Sequence, residues 1–199
     1  MSSLSPGLAV PASAAGVLVL VVGPSGAGKD TLMDAARAGL AGDPRFRFAR
    51  RLITRPAMAG AEDHDSCDET AFWQAEARGE LALSWRAHGL SYGIPAAELG
   101  GIAAGAVVIV NVSRGAIAVA ERLAERVIVL NITAPVAVLA QRLAARGRES
   151  EADIAARLGR EAALTAERAA IVTIMNDRSI AEAAQELLAV LRGLGRAAA

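Results

Sequence analysis

Lysine is almost missing from this chain. Of 21 Lys plus Arg residues, Lys29 is the single lysine, and every other basic residue is arginine. Cysteine is as scarce: Cys67 stands alone, which excludes an internal disulfide and fits a reducing, cytoplasmic setting. Aromatic residues make up only 3% of the chain, so a core must be built from Ala, Val, Leu and Ile, for which an apolar content of 53% is ample. Formal net charge is zero. No basic footprint for nucleic acid is present, and an anionic ligand must be held by a local cluster. No apolar run is long enough to span a membrane. A length of 199 residues suits one domain with room for an insertion.

What is there begins with Gly23-Pro24-Ser25-Gly26-Ala27-Gly28-Lys29-Asp30-Thr31. The apolar run Val17 to Val22 before it reads as a buried strand, and Leu32 to Arg37 after it as a helix. Strand, glycine loop, lysine and helix form the phosphate-binding loop of nucleoside-triphosphate enzymes. Glycines let successive backbone N–H groups turn toward phosphate oxygens, and the helix start adds partial positive charge. Lys29 reaches the β- and γ-phosphates in such a loop. A compositional drift toward arginine has spared the one site where a compact ammonium is needed. The residue after this lysine is usually Ser or Thr, whose hydroxyl binds Mg²⁺; here it is Asp30. A carboxylate there either binds Mg²⁺, directly or through water, or complements the helix dipole.

Met1 to Gly16 reads as a mobile tail; a signal peptide is the alternative, but the stretch lacks a basic start. The single domain runs over residues 17–193. Its regular core covers 17–44 and 101–193, with an acceptor-binding insertion at about 45–100. Strands are expected within 45–55 and at 81–85, 106–110, 127–131 and 170–175. Helices are expected at 69–78 (Phe72 and Trp73 inward), 96–104, 113–124, 135–146, 150–168 (N-capped by Ser150) and 180–191. Residues 56–68 read as loop. Continuous apolar strands alternating with helices imply a parallel sheet covered on both faces, with ligands at the strands' carboxyl ends. The residues just past those ends are the glycine loop, Asn111-Val112-Ser113-Arg114 and Asn176-Asp177-Arg178.

Two further constellations stand out. Arg142 and Arg146 share one helix face, Gly147 breaks the helix, and Arg157 lies on the next helix. This is lid geometry over about 142–157, with arginines able to neutralise a transferring phosphate. The alternative is surface arginine paired with Glu149, Glu151 and Asp153. Arg55 after a strand, with Tyr92 further on, makes a phosphate clamp, though lone Arg and Tyr residues are more often structural.

In order and spacing, Gly23 to Asp30, Ile53-Thr54-Arg55, Gly60-Ala61-Glu62, Leu83-Ser84-Trp85, His88-Gly89 with Tyr92-Gly93, the 142–158 arginines and Ile174 to Asp177 resemble the guanylate kinase family over about residues 17–193. The resemblance implies an α/β phosphate-loop nucleoside-monophosphate-kinase fold. That fold has three layers, a five-stranded parallel sheet, an inserted acceptor-binding region and a helical lid. It implies that Arg55 and Tyr92 hold the acceptor phosphate, that Arg142, Arg146 and Arg157 serve the lid and the transferring phosphate, and that Asn176 lies beside the purine of ATP. The departures narrow it. The guanine-reading acids of that family are replaced by Ser84 and Asn111-Val112-Ser113, and a second arginine after Arg55 is Met58. Leaving guanine's donors unpaired would cost several kcal/mol.

With Asp30 in the loop, this combination resembles the ribose 1,5-bisphosphate phosphokinases of phosphonate degradation. That family shows the same Gly-Lys-Asp, Ile-Thr-Arg, Leu-Ser-Trp, Tyr-Gly, Asn-x-Ser-Arg and Arg-Gly-Arg-Glu stretches. The resemblance implies transfer from ATP, with Mg²⁺, onto a phosphorylated sugar. Ser84, Asn111, Ser113 and Arg114 suit hydroxyl and phosphate contacts, and His88 either helps or is a turn residue. Guanylate kinase itself, a non-catalytic binding module of that fold, and a nucleotide switch are the competing readings. The last lacks its Asn-Lys-x-Asp stretch, and the module would typically lose the loop. Oligomeric state is not given by the sequence, and a homodimer is left open.

Overall fold

A computed structural model describes residues 16–56, 64–87, 89–145 and 164–197. Strand β1 (Val17–Val22) is buried along its whole length. It lies at the centre of a five-stranded sheet ordered β2-β7-β1-β8-β9, with β2 Phe46–Phe48, β7 Val107–Asn111, β8 Val127–Thr133 and β9 Ala170–Met175, all pairs parallel. Successive side chains of β1 point to opposite faces. Val17, Val19 and Val21 enter a core shared with helices α1 (Lys29–Gly39), α4 (Val136–Ala145) and α5 (Ile180–Ala197), through Leu32, Leu139 and Leu187 among others. Leu18, Leu20 and Val22 enter a second core with Ile117 and Ala120 of the one-turn helix α3 (Ile117–Ala120) and with Leu83 and Ile94.

Leu83 and Ile94 belong to a second, four-stranded sheet ordered β4-β3-β6-β5: β3 Arg51–Ile53, β4 His64–Ser66, β5 Leu81–Ala87 and β6 Leu90–Pro95. Strands β5 and β6 form an antiparallel hairpin, β3 adds antiparallel to β6, and β4 runs parallel to β3 at the edge. Helix α2 (Glu69–Ala77) covers the outer face. Asp68 caps it by accepting the Ala71 N–H at 2.7 Å. Helix α5 opens on a reciprocal box, in which the Ser179 hydroxyl accepts from Glu182 N and the Glu182 carboxylate accepts from Ser179 N.

Several expectations are corrected. Residues 45–55 hold two strands in different sheets: Phe46–Phe48 pairs with β7, so the main sheet extends past residue 45, and only Arg51–Ile53 joins the second sheet. The 56–68 segment contains the short strand β4. Phe72 is buried but Trp73 is 42% exposed, under the Arg86 guanidinium. Trp73 lies about 100° further round the helix than Phe72 and falls outside the buried stripe formed by Phe72 and Ala75. The expected helix at 96–104 is two 3₁₀ turns separated at Gly100-Gly101, and that at 113–124 shrinks to a 3₁₀ turn (Arg114–Ala116) and α3. The 150–168 helix lies largely outside the described residues, and its described end, 164–168, is not helical. Ser150, Gly147 and the 1–15 tail also lie outside them.

Candidate active site

The glycine loop leaves the carboxyl end of β1. Gly23 needs its lack of a Cβ, since one would stand 1.9 Å from the Ile132 carbonyl oxygen of β8. Gly28 caps α1 in the left-handed region at φ +84°, where a Cβ would also strike the Asn176 amide at 2.5 Å. Lys29 is half-buried, and its Nζ donates to the carbonyls of Gly23 at 2.8 Å and Pro24 at 3.1 Å, folded along its own loop. Asp30 and Thr31 are exposed at the start of α1.

Asn111 ends β7 beside Val21. It is 4% exposed, and its Nδ2 donates to Asp30 Oδ1 at 3.2 Å. Two residues 81 positions apart, on either side of the insertion, thus meet at the loop's rim. Ser113 and Arg114 follow in a 3₁₀ turn packed against β5. Asn176 follows β9 and is buried; its Nδ2 donates to Ala27 O at 2.8 Å, and its Oδ1 is enclosed without a partner. The structure therefore sets Asn176 against the loop backbone, as a brace.

Arg55 follows β3 and is half-buried with its Nε enclosed and without a hydrogen-bond partner. Thr54 beside it is fixed to β6: its N–H donates to Ser91 O, and its Oγ1 accepts from Ser91 N at 2.9 Å. Tyr92 lies on the inner face of the second sheet. It stacks on Trp85 with ring centroids 5.5 Å apart and planes at 6°, and the Arg51 guanidinium lies 5.3 Å from its ring centre. Ser84 is not brought to this face. The hairpin pairs Trp85 with Tyr92 and Ser84 with Gly93, so Ser84 points to the α2 side, where its hydroxyl donates to the Glu76 carboxylate. Arg142 is half-buried on α4 with Nη1 enclosed and unpartnered. Arg146, Arg157, His88 and Met58 lie outside the described residues.

Sequence reading missed Arg51 and Glu121. Arg51 shares a face with Ile53 and Tyr92 by strand parity, a signal that was available. Glu121, 2% exposed, carried none: its carboxylate accepts the backbone N–H groups of Glu167, Arg168 and Ala169 at 3.1, 2.8 and 2.6 Å. Burial pushes its pKa up. The three N–H groups and the Arg168 charge outweigh that, so the carboxyl is held below the usual range. The Cys67 thiol is pushed up by burial and then by Asp68, away from thiolate chemistry.

Among the described residues no group of three or more His, Cys, Asp or Glu is placed to hold a metal. Asp30 has one oxygen engaged by Asn111 and is exposed at the start of α1. No described helix is long and apolar enough to cross a membrane.

No family model matches the chain. It is 55% identical over 177 residues to the ribose 1,5-bisphosphate phosphokinase PhnN of Methylobacterium radiotolerans, covering 89% of this chain and 98% of that one. It is 53% identical over 173 residues to the protein of the same name from Brucella melitensis (87% and 90% covered). To that of Agrobacterium fabrum it is 47% identical over 175 residues (88% and 96%). Among solved structures, guanylate kinase from Anaplasma phagocytophilum matches at TM-score 0.65 and 19% identity, over 91% of this chain and 87% of that one. A sugar kinase from Janibacter sp. matches at 0.52 and 16%, over 92% and 99%. At these identities the structural likenesses establish the fold alone, an α/β fold with a phosphate-loop core.

Proposed function

Since the chain belongs to the ribose 1,5-bisphosphate phosphokinase family, we propose that it transfers the γ-phosphoryl group of ATP to ribose 1,5-bisphosphate, giving ADP and 5-phospho-α-D-ribose 1-diphosphate. The observation that carries the choice of acceptor over GMP is Asn111: it bears no carboxylate for guanine's N1–H and amine, and its amide is already engaged with Asp30, while Ser84 faces away toward Glu76.

ATP phosphates lie in the 23–31 loop. Lys29 exchanges the Gly23 and Pro24 carbonyls for the β- and γ-phosphates. The acceptor's phosphate oxygen is already anionic near neutral pH, so no general base is needed. The bond from the γ-phosphorus to the β,γ-bridging oxygen breaks, and one to the acceptor phosphate oxygen forms. What the protein supplies is orientation and positive charge against two repelling anions. Arg55 and the Tyr92 hydroxyl hold the acceptor phosphate, Arg142 meets the transferring group with Arg146 and Arg157 of the lid, and Asn111, Ser113 and Arg114 serve the sugar side. Asn176 keeps the ATP loop in shape through Ala27. Asp30 is the residue that would hold Mg²⁺; the ion neutralises phosphate charge when bound. A cytoplasmic location is supported by the lone Cys67 thiol.

Incubation with ATP and ribose 1,5-bisphosphate, followed by ³¹P NMR, is expected to show a diphosphate signal on the sugar. Lys29→Ala should lower kcat by about a thousandfold or more. Strong turnover of GMP, with none of the bisphosphate, would sink this reading.

A further inference from the structure

Three strands of the second sheet set a row of side chains across its inner face. Ile53 of β3 pairs with Tyr92 of β6, and Tyr92 pairs with Trp85 of β5, so the three point the same way. Ile53 and Tyr92 are buried, and Trp85 is partly buried against the second core. Tyr92 stands in the middle of the row. The Trp85 indole lies flat against its ring, with centroids 5.5 Å apart and planes at 6°. The Arg51 guanidinium lies over the same ring, 5.3 Å from its centre. Ser84 and Arg86, the neighbours of Trp85 along β5, are exposed on the outer side. Ser84 donates there to Glu76, and Arg86 covers Trp73. Of the two tryptophans in the chain, only Trp85 shares a face with Tyr92.

A phenol oxygen sits at the end of a stiff lever with two rotatable bonds, so a small swing at Cβ carries it away from a ligand. Offset stacking across two strands favours one plane for both rings and resists that swing. We propose that Trp85 is a positioning residue: stacked on Tyr92, it fixes the plane of that ring and so aims the hydroxyl at the acceptor's phosphate. The indole touches neither phosphate. Packing alone would need only an apolar side chain at position 85, as Leu83 supplies two residues earlier on the same face; setting a plane needs a flat ring. This role rests on the acceptor reading given above, in which the Tyr92 hydroxyl holds the phosphate.

The test is a double-variant cycle on the full chain, read as the Kd of ribose 1,5-bisphosphate by calorimetry. Trp85→Leu keeps an apolar side chain and removes the flat ring; Tyr92→Phe keeps the ring and removes the hydroxyl. Trp85→Leu is expected to weaken binding about five- to tenfold, and Tyr92→Phe about tenfold or more. Because the one acts through the other, the double variant should match Tyr92→Phe to within about twofold, where independent losses would multiply. Trp85→Phe, which restores a flat ring, should stay within about threefold of wild type. Affinity for a non-hydrolysable ATP analogue should be unchanged throughout, which also reports that each variant folds. The role is overturned if Trp85→Leu binds the bisphosphate as wild type does, if the two losses multiply, or if Trp85→Phe falls as far as Trp85→Leu. An equal loss of ATP-analogue affinity in Trp85→Leu overturns it too, as the mark of a residue that only packs. If wild type binds GMP and not the bisphosphate, the reaction reading falls instead, and the same cycle run with GMP decides the role of Trp85. A wild type that binds neither acceptor overturns both.

Discussion

Asp30 is the residue at which this site departs from the common phosphate loop, and the structure gives it a neighbour. Asn111 donates to one of its oxygens, and the residue is exposed. A neutral amide in place of an acid at the end of β7 avoids setting two carboxylates side by side, which would raise the pKa of one of them. Asp30→Ser should therefore raise the Mg²⁺ concentration for half-maximal rate, by about tenfold, with melting temperature unchanged; identical Mg²⁺ titrations would return Asp30 to complementing the helix dipole. Lys29, Arg55 and Asn111 could be picked out as candidates because each lies at or beyond a strand end, and the structure places them there. The facing of Ser84 was not legible: it depends on the hairpin register, and only the Trp85–Tyr92 pairing reveals that the two candidates lie on opposite sides. Asn176, expected beside the purine of ATP, lies buried against the loop with its amide on Ala27 O.

At the scale of elements, the joint between α3 and β9 does work that no motif announces. Glu121 closes α3 and holds three successive N–H groups at the entry to β9, while the Arg168 guanidinium donates back to the carbonyls of Glu121 and Ala124. The cation satisfies carbonyls beyond a helix end, and the anion satisfies donors that a turn leaves open. The carboxyl's pKa is lowered in the folded state. Its stabilisation is therefore complete above the unfolded value of about 4.3 and is lost as pH falls through the folded value. Glu121→Gln should cost about 2 kcal/mol near neutral pH, and the gap to wild type in urea titrations should narrow below about pH 4. A gap that stays constant down to pH 2 would count against the charge. The short helices around this joint escaped sequence reading because glycines such as Gly100, Gly101 and Gly115 interrupt alanine-rich runs that otherwise look helical.

For the whole molecule, the five-stranded parallel sheet was readable because strands buried on both faces are continuously apolar, as β1 and β7 are. The second sheet was only partly readable. Its strands β3 and β4 are three residues each, too short for a period to show, and their pairing is set by contacts far along the chain. The two sheets carry different candidates: the parallel one leads into the glycine loop, and the mixed one carries Tyr92, leads into Arg55 and packs on the first through Leu83 and Ile94.

The lone lysine, tied to the carbonyls of Gly23 and Pro24, also makes the folded chain a single-site proteolytic reporter. A lysine-specific endoprotease has one peptide bond to cut, Lys29–Asp30, inside the first turn of α1. The bond is exposed to the protease only when the loop and that turn open together, so the cutting rate reads the opening equilibrium of the nucleotide site. A non-hydrolysable ATP analogue at a hundred times its Kd should slow the cut by about a hundredfold, the linkage expected of a ligand bound to the closed form alone. Two fragments on a gel would thus report nucleotide occupancy without any turnover.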